Sequence, residues 1–283
     1  MTGGQATQGN STSSVLGRRL GGELTKLRTT AGLTQPQAAK ALSASTAKVT
    51  KMERGWVPIR DPDIRVLCEL YGVTDPATVG GLLELARVDR ERRKAKGWWS
   101  DCPALGDMQE YVTLESAATV IRTWQLSYVP GLLQTPRYAR TLNDDEQFVA
   151  ARIARQQRLT DEPSLSLHAV IFEAVLRNLV SGAGVMREQL EHLSAMADRP
   201  GISLQVLPFS AGATQRIHGA FNIISFADPG ELDVVYTEGP LTHLWIEGKE
   251  KAAKFAELFE SIAQQALNER DSQAFIKHIS EEL

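Results

Sequence analysis

The sequence predicts an α+β protein, with an all-α N-terminal domain of about five helices and a larger α+β domain with a mixed sheet. Three observations predict it. Leucines recur at helical spacing through the first third, between segments punctuated by Gly, Pro and capping residues. Short runs rich in Val, Ile and Phe appear only later, mixed with amphipathic stretches and without regular strand–helix–strand alternation. The charge also divides: residues up to Gly97 hold 16 Lys and Arg against 9 Asp and Glu, and the remainder 15 against 25. A basic first third on an acidic remainder points to a polyanion-binding headpiece joined to a body with a different task.

Met1 to Ser14 are Gly-, Ser-, Thr- and Gln-rich and read as a flexible arm. Leu16, Leu20, Leu24 and Leu27 then mark a helix over 15–30, with Gly32 as its stop. Thr34-Gln35-Pro36-Gln37 fits a helix N-terminus with a capping box, and Ala38, Ala39 and Leu42 form its buried side. Ser43-Ala44 breaks that helix and Ser45 caps a third, in which Val49 and Met52 face inward before Gly55. Asp61-Pro62 opens a fourth, with Ile64, Leu67, Cys68 and Tyr71 on one face and Gly72 as its stop. Asp75-Pro76 opens a fifth carrying Leu82, Leu83 and Ala86. The headpiece is expected over 15–86, and Arg87 to Gly97 as a charged linker that begins by extending the fifth helix. The body is expected over 98–283.

In the body, helices are expected over Asp107–Glu115, Thr135–Leu142, Asp145–Leu159, Met186–Ala197, Glu247–Leu267 and Ser272–Ile279. Extended segments are expected over Ala118–Val129, Ser164–Phe172, Ile202–Leu207, Ala220–Phe226 and Leu232–Tyr236.

Short helices with a tight break between the second and third make a helix-turn-helix. The run Leu27-Arg28, Gly32-Leu33-Thr34-Gln35, Ala39, Leu42, Ser45, Val49 and Met52-Glu53-Arg54-Gly55 resembles the Cro-type, phage-repressor-like class (the xenobiotic-response-element class). It departs where Ser43 stands in place of the usual Gly and Ala44 in place of a larger aliphatic. A left-handed Ser43 would cost on the order of 1 kcal/mol. With Val49 and Met52 buried, Thr46, Ala47, Thr50 and Lys51 lie on the outer face of the third helix, positioned to read base edges in a major groove. Lys48, Arg54 and Arg60 are candidate phosphate contacts. The resemblance implies a phosphate contact for Gln35 and an ion pair between Arg28 and Glu53 that holds the recognition helix.

The body resembles a domain of unknown function found behind such headpieces in actinobacterial regulators, some of them antitoxin-like. The resemblance rests on Trp98-Trp99, Glu115, Tyr128-Val129-Pro130-Gly131-Leu132-Leu133-Gln134-Thr135 with Tyr138-Ala139, Arg152 with Arg155-Gln156, Glu173 to Arg177, Gln205 to Phe209 and Val234 to Glu238. It implies a transcriptional regulator that often acts with a small partner protein encoded beside it. Tyr128, Arg152, Gln156 and Glu173 are candidate pocket residues, because polar side chains interrupt apolar elements there. The bland alternative is a buried Arg152–Glu173 pair that fixes the fold.

No apolar stretch approaches the length of a membrane-spanning helix, and two cysteines, Cys68 and Cys102, make no disulfide framework. A cytosolic protein is therefore expected, without cofactor or metal. Glu115, Glu173 and Glu238 with His168, His218 and His243 are the candidates for catalysis. No HExxH, GxSxG, GxxxxGK[ST] or GxGxxG accompanies them, so no enzyme is expected. The resulting expectation is a sequence-specific regulator of transcription that binds double-stranded DNA as a homodimer. Its body would sense a partner protein or a small ligand. The alternatives are an antitoxin-like protein that sequesters a small partner, and an enzyme with a DNA-targeting headpiece.

Overall fold

The computed structural model describes residues 14–106, 108–180, 182–212, 219–227, 233–239, 242–246 and 248–283. The chain divides into two compact units, one reaching Ala95 and the other starting at Lys96. The arm expected over 1–14 lies outside the described residues except for Ser14, which caps the first helix.

The first unit is all helix: α1 (Val15–Thr30), α2 (Gln35–Ala41), α3 (Thr46–Glu53), α4 (Asp61–Leu70) and α5 (Pro76–Lys94). Side-chain oxygens satisfy amides that a first turn leaves without partners. Ser14 Oγ accepts from Gly17 N–H at 3.0 Å, Ser45 Oγ from Lys48 N–H at 3.2 Å and Asp75 Oδ2 from Thr78 N–H at 2.9 Å. The first four helices all stop in one way. The second residue past each C-cap reaches back five residues, as in Leu33 N–H to Arg28 O at 3.0 Å and Ala44 N–H to Ala39 O at 2.9 Å. This closing motif puts the residue between in the left-handed region. Gly32, Gly55 and Gly72 take φ of +69°, +70° and +73°, and Ser43, between α2 and α3, takes +50°. Only Ser43 carries a Cβ there, at a cost of about 1–2 kcal/mol.

Leu20, Leu24, Ala38, Val49, Met52 and Ile64 form the centre of this unit. Cys68 belongs to the same core, and burial pushes its thiol up, which keeps it unreactive. α1 crosses the C-terminal end of α3 at backbone distance. A Cβ on Gly21 would fall on the Glu53 carbonyl. The segment expected as a charged linker is, up to Lys94, the last turns of α5, and it is tied into the headpiece. Asp89 is 1% exposed and accepts from Arg93 Nε at 2.9 Å, while Arg93 Nη2 donates to Gly55 O at 2.6 Å. Arg90 donates to Ile59 O at 2.7 Å. These buried partners turn a charge run into structure, which composition alone does not register.

The second unit opens with 3-10 turns at Trp98–Asp101 and Pro103–Leu105, followed by α6 (Met108–Ala117) and β1 (Val120–Gln125). After a 3-10 turn at Gly131–Leu133 come α7 (Pro136–Leu142) and α8 (Glu146–Arg155), which tightens into a 3-10 turn. Then follow β2 (Ser166–Phe172), α9 (Glu173–Arg177), α10 (Ala183–Ala197), β3 (Ile202–Leu207), β4 (Phe221–Ser225), β5 (Val234–Glu238), β6 (His243–Ile246), α11 (Lys249–Ala263) and α12 (Glu269–Glu282). The six strands form one mixed sheet in the order β3-β2-β1-β4-β5-β6. β1, β2 and β3 run parallel, and β4, β5 and β6 continue as an antiparallel meander. The expected extended run 118–129 shrinks to β1. Beyond Gln125 the chain turns into a loop whose hydrogen-bond partners are side chains. β6 and α9 were not expected, being too short to show a period.

Side chains alternate across the sheet with period two. Trp124, Val170, Phe221, Ile223 and Val235 face one way and pack with Phe259 and Ile262 of α11. Ile121, Thr123, Gln125, Leu167, Asn222 and Tyr236 face the other way and line a cavity. No described helix is long and apolar enough to cross a membrane.

Candidate nucleic-acid interface and a cavity on the sheet

α3 is held by a chain of hydrogen bonds that starts in the core. Arg28 is 9% exposed, and its Nε and Nη2 donate to Glu53 Oε1 and Oε2 at 2.6 and 3.0 Å. Its Nη1 donates to Leu33 O at 2.8 Å. Gln35 Nε2 donates to Glu53 Oε2 at 2.7 Å, and Thr50 Oγ1 lies 3.0 Å from both Gln35 Oε1 and Thr46 O. Burial pushes the Glu53 carboxyl up, but hydrogen bonds from Arg28 and Gln35 and the Arg28 charge outweigh it and hold it below the usual glutamate value. α1, α2 and α3 are thus fastened at one carboxylate.

This arrangement sorts the base-reading candidates. Thr46, Ala47 and Lys51 are exposed on the outer face of α3, opposite Val49 and Met52. Thr50 is half-buried, and its hydroxyl is committed to Gln35 or to Thr46. The Gln35 side chain is committed to Glu53 and Thr50, which leaves its backbone amide, at the start of α2, as the group able to meet a phosphate. Lys48 and Arg60 share Asp63: Lys48 Nζ is 3.4 Å from Oδ2 and Arg60 Nη2 2.9 Å from Oδ1. Burial of Asp63 pushes its carboxyl up, but the hydrogen bond from Arg60 and the charges of Lys48 and Arg60 leave it lowered. A phosphate at either cation therefore competes with Asp63. Arg54 follows α3 and is exposed.

The second unit holds a cavity of about 310 Å³ between the sheet face and α6, α8 and the loop after β1. Its walls include Tyr128, Phe148, Arg152, Asn222, Tyr236 and Glu238. The loop is pinned from behind by amide side chains. Gln134 Nε2 donates to Val129 O at 2.7 Å, Gln156 Nε2 to Gln134 O at 2.6 Å and Gln189 Nε2 to Leu133 O at 2.7 Å. Thr135 N–H donates to Gln189 Oε1 at 2.8 Å. The segment Pro130 to Thr135 thereby keeps an irregular backbone in the interior, its polar groups matched by glutamines that no periodicity announces.

Two of the four expected pocket residues, Tyr128 and Arg152, line this cavity. Gln156 does not, because its amide is spent behind the loop. Glu173 does not either: at the N-terminus of α9 it accepts from Arg177 Nε at 2.6 Å and from Phe209 N–H at 2.7 Å. The alternative Arg152–Glu173 pair is absent for the same reason. The buried pair is instead Arg155–Glu115, joined by two bonds of 2.7 and 2.8 Å with both side chains at most 7% exposed. Burial opposes the charge on Arg155, but Glu115 outweighs it and raises its pKa. Asn222, Tyr236 and Glu238 were missed as cavity residues, although the alternation along β4 and β5 places them on one face.

Of the catalytic candidates, Glu238 and His243 face each other across the β5–β6 pair beside Tyr236. Glu115 and Glu173 are occupied as above. His168 Nε2 sits 2.7 Å from Gln205 Oε1 and packs on Phe259, on the α11 side of the sheet. His243 stacks near Tyr236, and His218 lies outside the described residues. No group of three or more His, Cys, Asp or Glu fit to hold a metal occurs among the described residues.

Comparison with known proteins adds two matches. Residues 19–80 are similar to a helix-turn-helix domain. Residues 108–278 are similar to a domain of unknown function, DUF5753. No curated protein and no solved structure matches the chain.

Proposed function

The chain belongs to the DUF5753 family and carries a helix-turn-helix domain ahead of that domain, and from that premise we propose that it is a sequence-specific regulator of the Cro-type class that docks α3 in the major groove of an operator. The observation that carries this reading is the outward face of α3. Thr46, Ala47 and Lys51 project from a helix whose other side is buried and whose angle is set by Arg28, Glu53 and Gln35. Lys51 reads guanine O6 or N7, and Thr46 and Ala47 meet a thymine methyl or a neighbouring base edge. The Gln35 backbone amide, Lys48, Arg54 and Arg60 seat the flanking phosphates.

The headpiece is small, so two copies on half-sites about one helical turn (~34 Å) apart supply the binding energy, and the protein acts as a homodimer in the cytosol. The second domain is its sensing part, taking a small ligand or, as in the antitoxin-like regulators it resembles, a small partner protein. We read that domain as non-catalytic, because Glu115 and Glu173 are held by Arg155 and Arg177.

Selection of bound duplexes from a random pool by the full chain, followed by titration of the winner, tests this reading. A single enriched palindrome is expected. Lys51→Ala should relax preference at one base pair of each half-site, while its salt dependence should flatten by less than one phosphate's worth, about 0.9 in log–log slope. An unenriched pool, or a Lys51→Ala chain with unchanged preference, overturns it.

A further inference from the structure

We propose that the cavity of the second domain binds a small organic oxyanion, a carboxylate or phosphate ester, seated on the Arg152 guanidinium, with the ligand's amino or hydroxyl groups turned toward Glu238 and Asn222. This names a ligand class for the sensing role proposed above. It rests on that role only for the consequence at the DNA, since binding itself needs no operator.

The two buried arginines among the described residues, Arg28 and Arg155, are both neutralised. Arg28 and Arg155 each face a carboxylate through two bonds of 2.6 to 3.0 Å. Arg152 has no carboxylate within 4.0 Å among the described residues. Its one hydrogen bond there runs from Nη1 to Gln134 Oε1 at 2.9 Å. Its Nε is out of reach of water and has no partner, and its Nη2 makes no bond to the described protein. The guanidinium lies over the Phe148 ring, 4.8 Å from the centroid, which supplies attraction but no acceptor. Desolvation and the nearby Arg155 charge bring its pKa down to about 10, so it remains a cation at neutral pH. Arg152 is half-buried, and the carboxylates that act on it, Glu238 and Glu115, do so without an ion pair; such a poorly matched cation is costly, and an anion that enters the cavity relieves that cost.

The surroundings suit such a guest. Gly131 runs so close that a Cβ there would stand 3.2 Å from Arg152 Nη1. The loop that carries it is braced by Gln156 and Gln189, so the site is formed before a ligand arrives. At about 310 Å³ the cavity is of small-molecule size. Tyr111, Tyr128 and Phe148 offer an apolar bed for the ligand body. Against the Tyr111 ring, at 4.8 Å between centroids, Tyr236 Oη donates to Glu238 Oε1 at 3.2 Å, leaving the second carboxylate oxygen and the Asn222 amide for donors on the ligand. The neighbouring Arg155 is already paired with Glu115, so Arg152 is the guanidinium left to bind the anion.

Inorganic phosphate is the probe. The full chain is melted at constant ionic strength while sodium phosphate replaces sodium chloride. A saturable rise in melting temperature is expected. In Arg152→Met, which keeps bulk and removes the charge, the apparent affinity should fall about tenfold or more. A flat wild-type titration, or an equal rise in Arg152→Met, overturns the proposal; an equal rise would place phosphate on the headpiece or in general solvent effects. Glu238→Gln at the exposed rim provides the second arm and decides alone if Arg152→Met does not fold. Removing that negative charge should tighten phosphate binding several-fold, and unchanged binding counts against the site. Operator titration of the same variants separates the two readings. Intact DNA binding without phosphate binding sinks the anion site and leaves the regulator standing, and the reverse outcome does the opposite.

Discussion

Glu53→Gln tests the physical basis of the recognition helix. The Glu53 side chain is 8% exposed and takes three bonds, two from Arg28 and one from Gln35, all at 3.0 Å or less. Glutamine has nearly the same shape but no charge, so Arg28 is left buried with Leu33 O and a weakened partner. Breaking one side of a buried pair costs roughly 3–5 kcal/mol. Because glutamine retains one acceptor oxygen, the expected loss is about 3 kcal/mol. Hydrogen exchange is the suitable assay, since it reads local opening within a two-domain chain. At about 1.4 kcal/mol per factor of ten, the amides of α1 and α3 should lose about two orders of magnitude of protection. Glu84→Gln is the control. It removes an exposed partner of Arg87, where the cost is roughly 0–1 kcal/mol. The reasoning is refuted if Glu53→Gln changes protection of α1 and α3 no more than Glu84→Gln does. Acid supplies a second arm. The folded Glu53 carboxyl is held below its ordinary value, so its stabilisation is complete above the unfolded glutamate value of about 4.3 and is lost as pH falls through the folded one. Wild-type protection should decline on acidification below that point. Glu53→Gln should keep only the decline that comes from the other lowered headpiece carboxylates, Asp63 and Asp75.

Three further outcomes are expected. Ser43→Gly should raise headpiece stability by about 1 kcal/mol, because the left-handed turn at φ +50° loses its Cβ conflict; urea unfolding followed by the helical signal measures it, and a loss of stability contradicts the strain. Gly21→Ala should force α1 from the Glu53 carbonyl, costing about 1–3 kcal/mol and weakening operator affinity as α3 shifts; unchanged affinity in a gel-shift titration counts against the close crossing. Glu115→Gln should destabilise the second domain by about 3 kcal/mol, since Arg155 keeps one acceptor but loses the charge and second bond of its partner in the interior, while DNA affinity of the folded fraction is unaffected. Equal thermal stability of this variant and the wild type would refute that assignment.

Much of the headpiece was legible in the residues themselves because its information is local. Capping residues, helical spacing and a closing glycine each act within about five positions, so Ser45, Val49, Met52 and Gly55 delimit α3 without reference to the rest of the chain. Even the strained Ser43 could be read, since a helix that must stop there demands a left-handed residue whatever its identity. The mixed α+β character of the body followed from β-branched runs for the same reason. Tertiary structure decided which polar groups meet. Arg152 and Arg155 lie on one helix three residues apart, yet Arg155 finds Glu115 and Arg152, among the described residues, finds an amide. That difference depends on partners 40 and 18 positions distant. Gln156 and Glu173 look like pocket residues in sequence, and packing spends both elsewhere. Local propensity can place a charged side chain on a helix face. Whether the field there is neutralised is set by chain segments brought together only by folding.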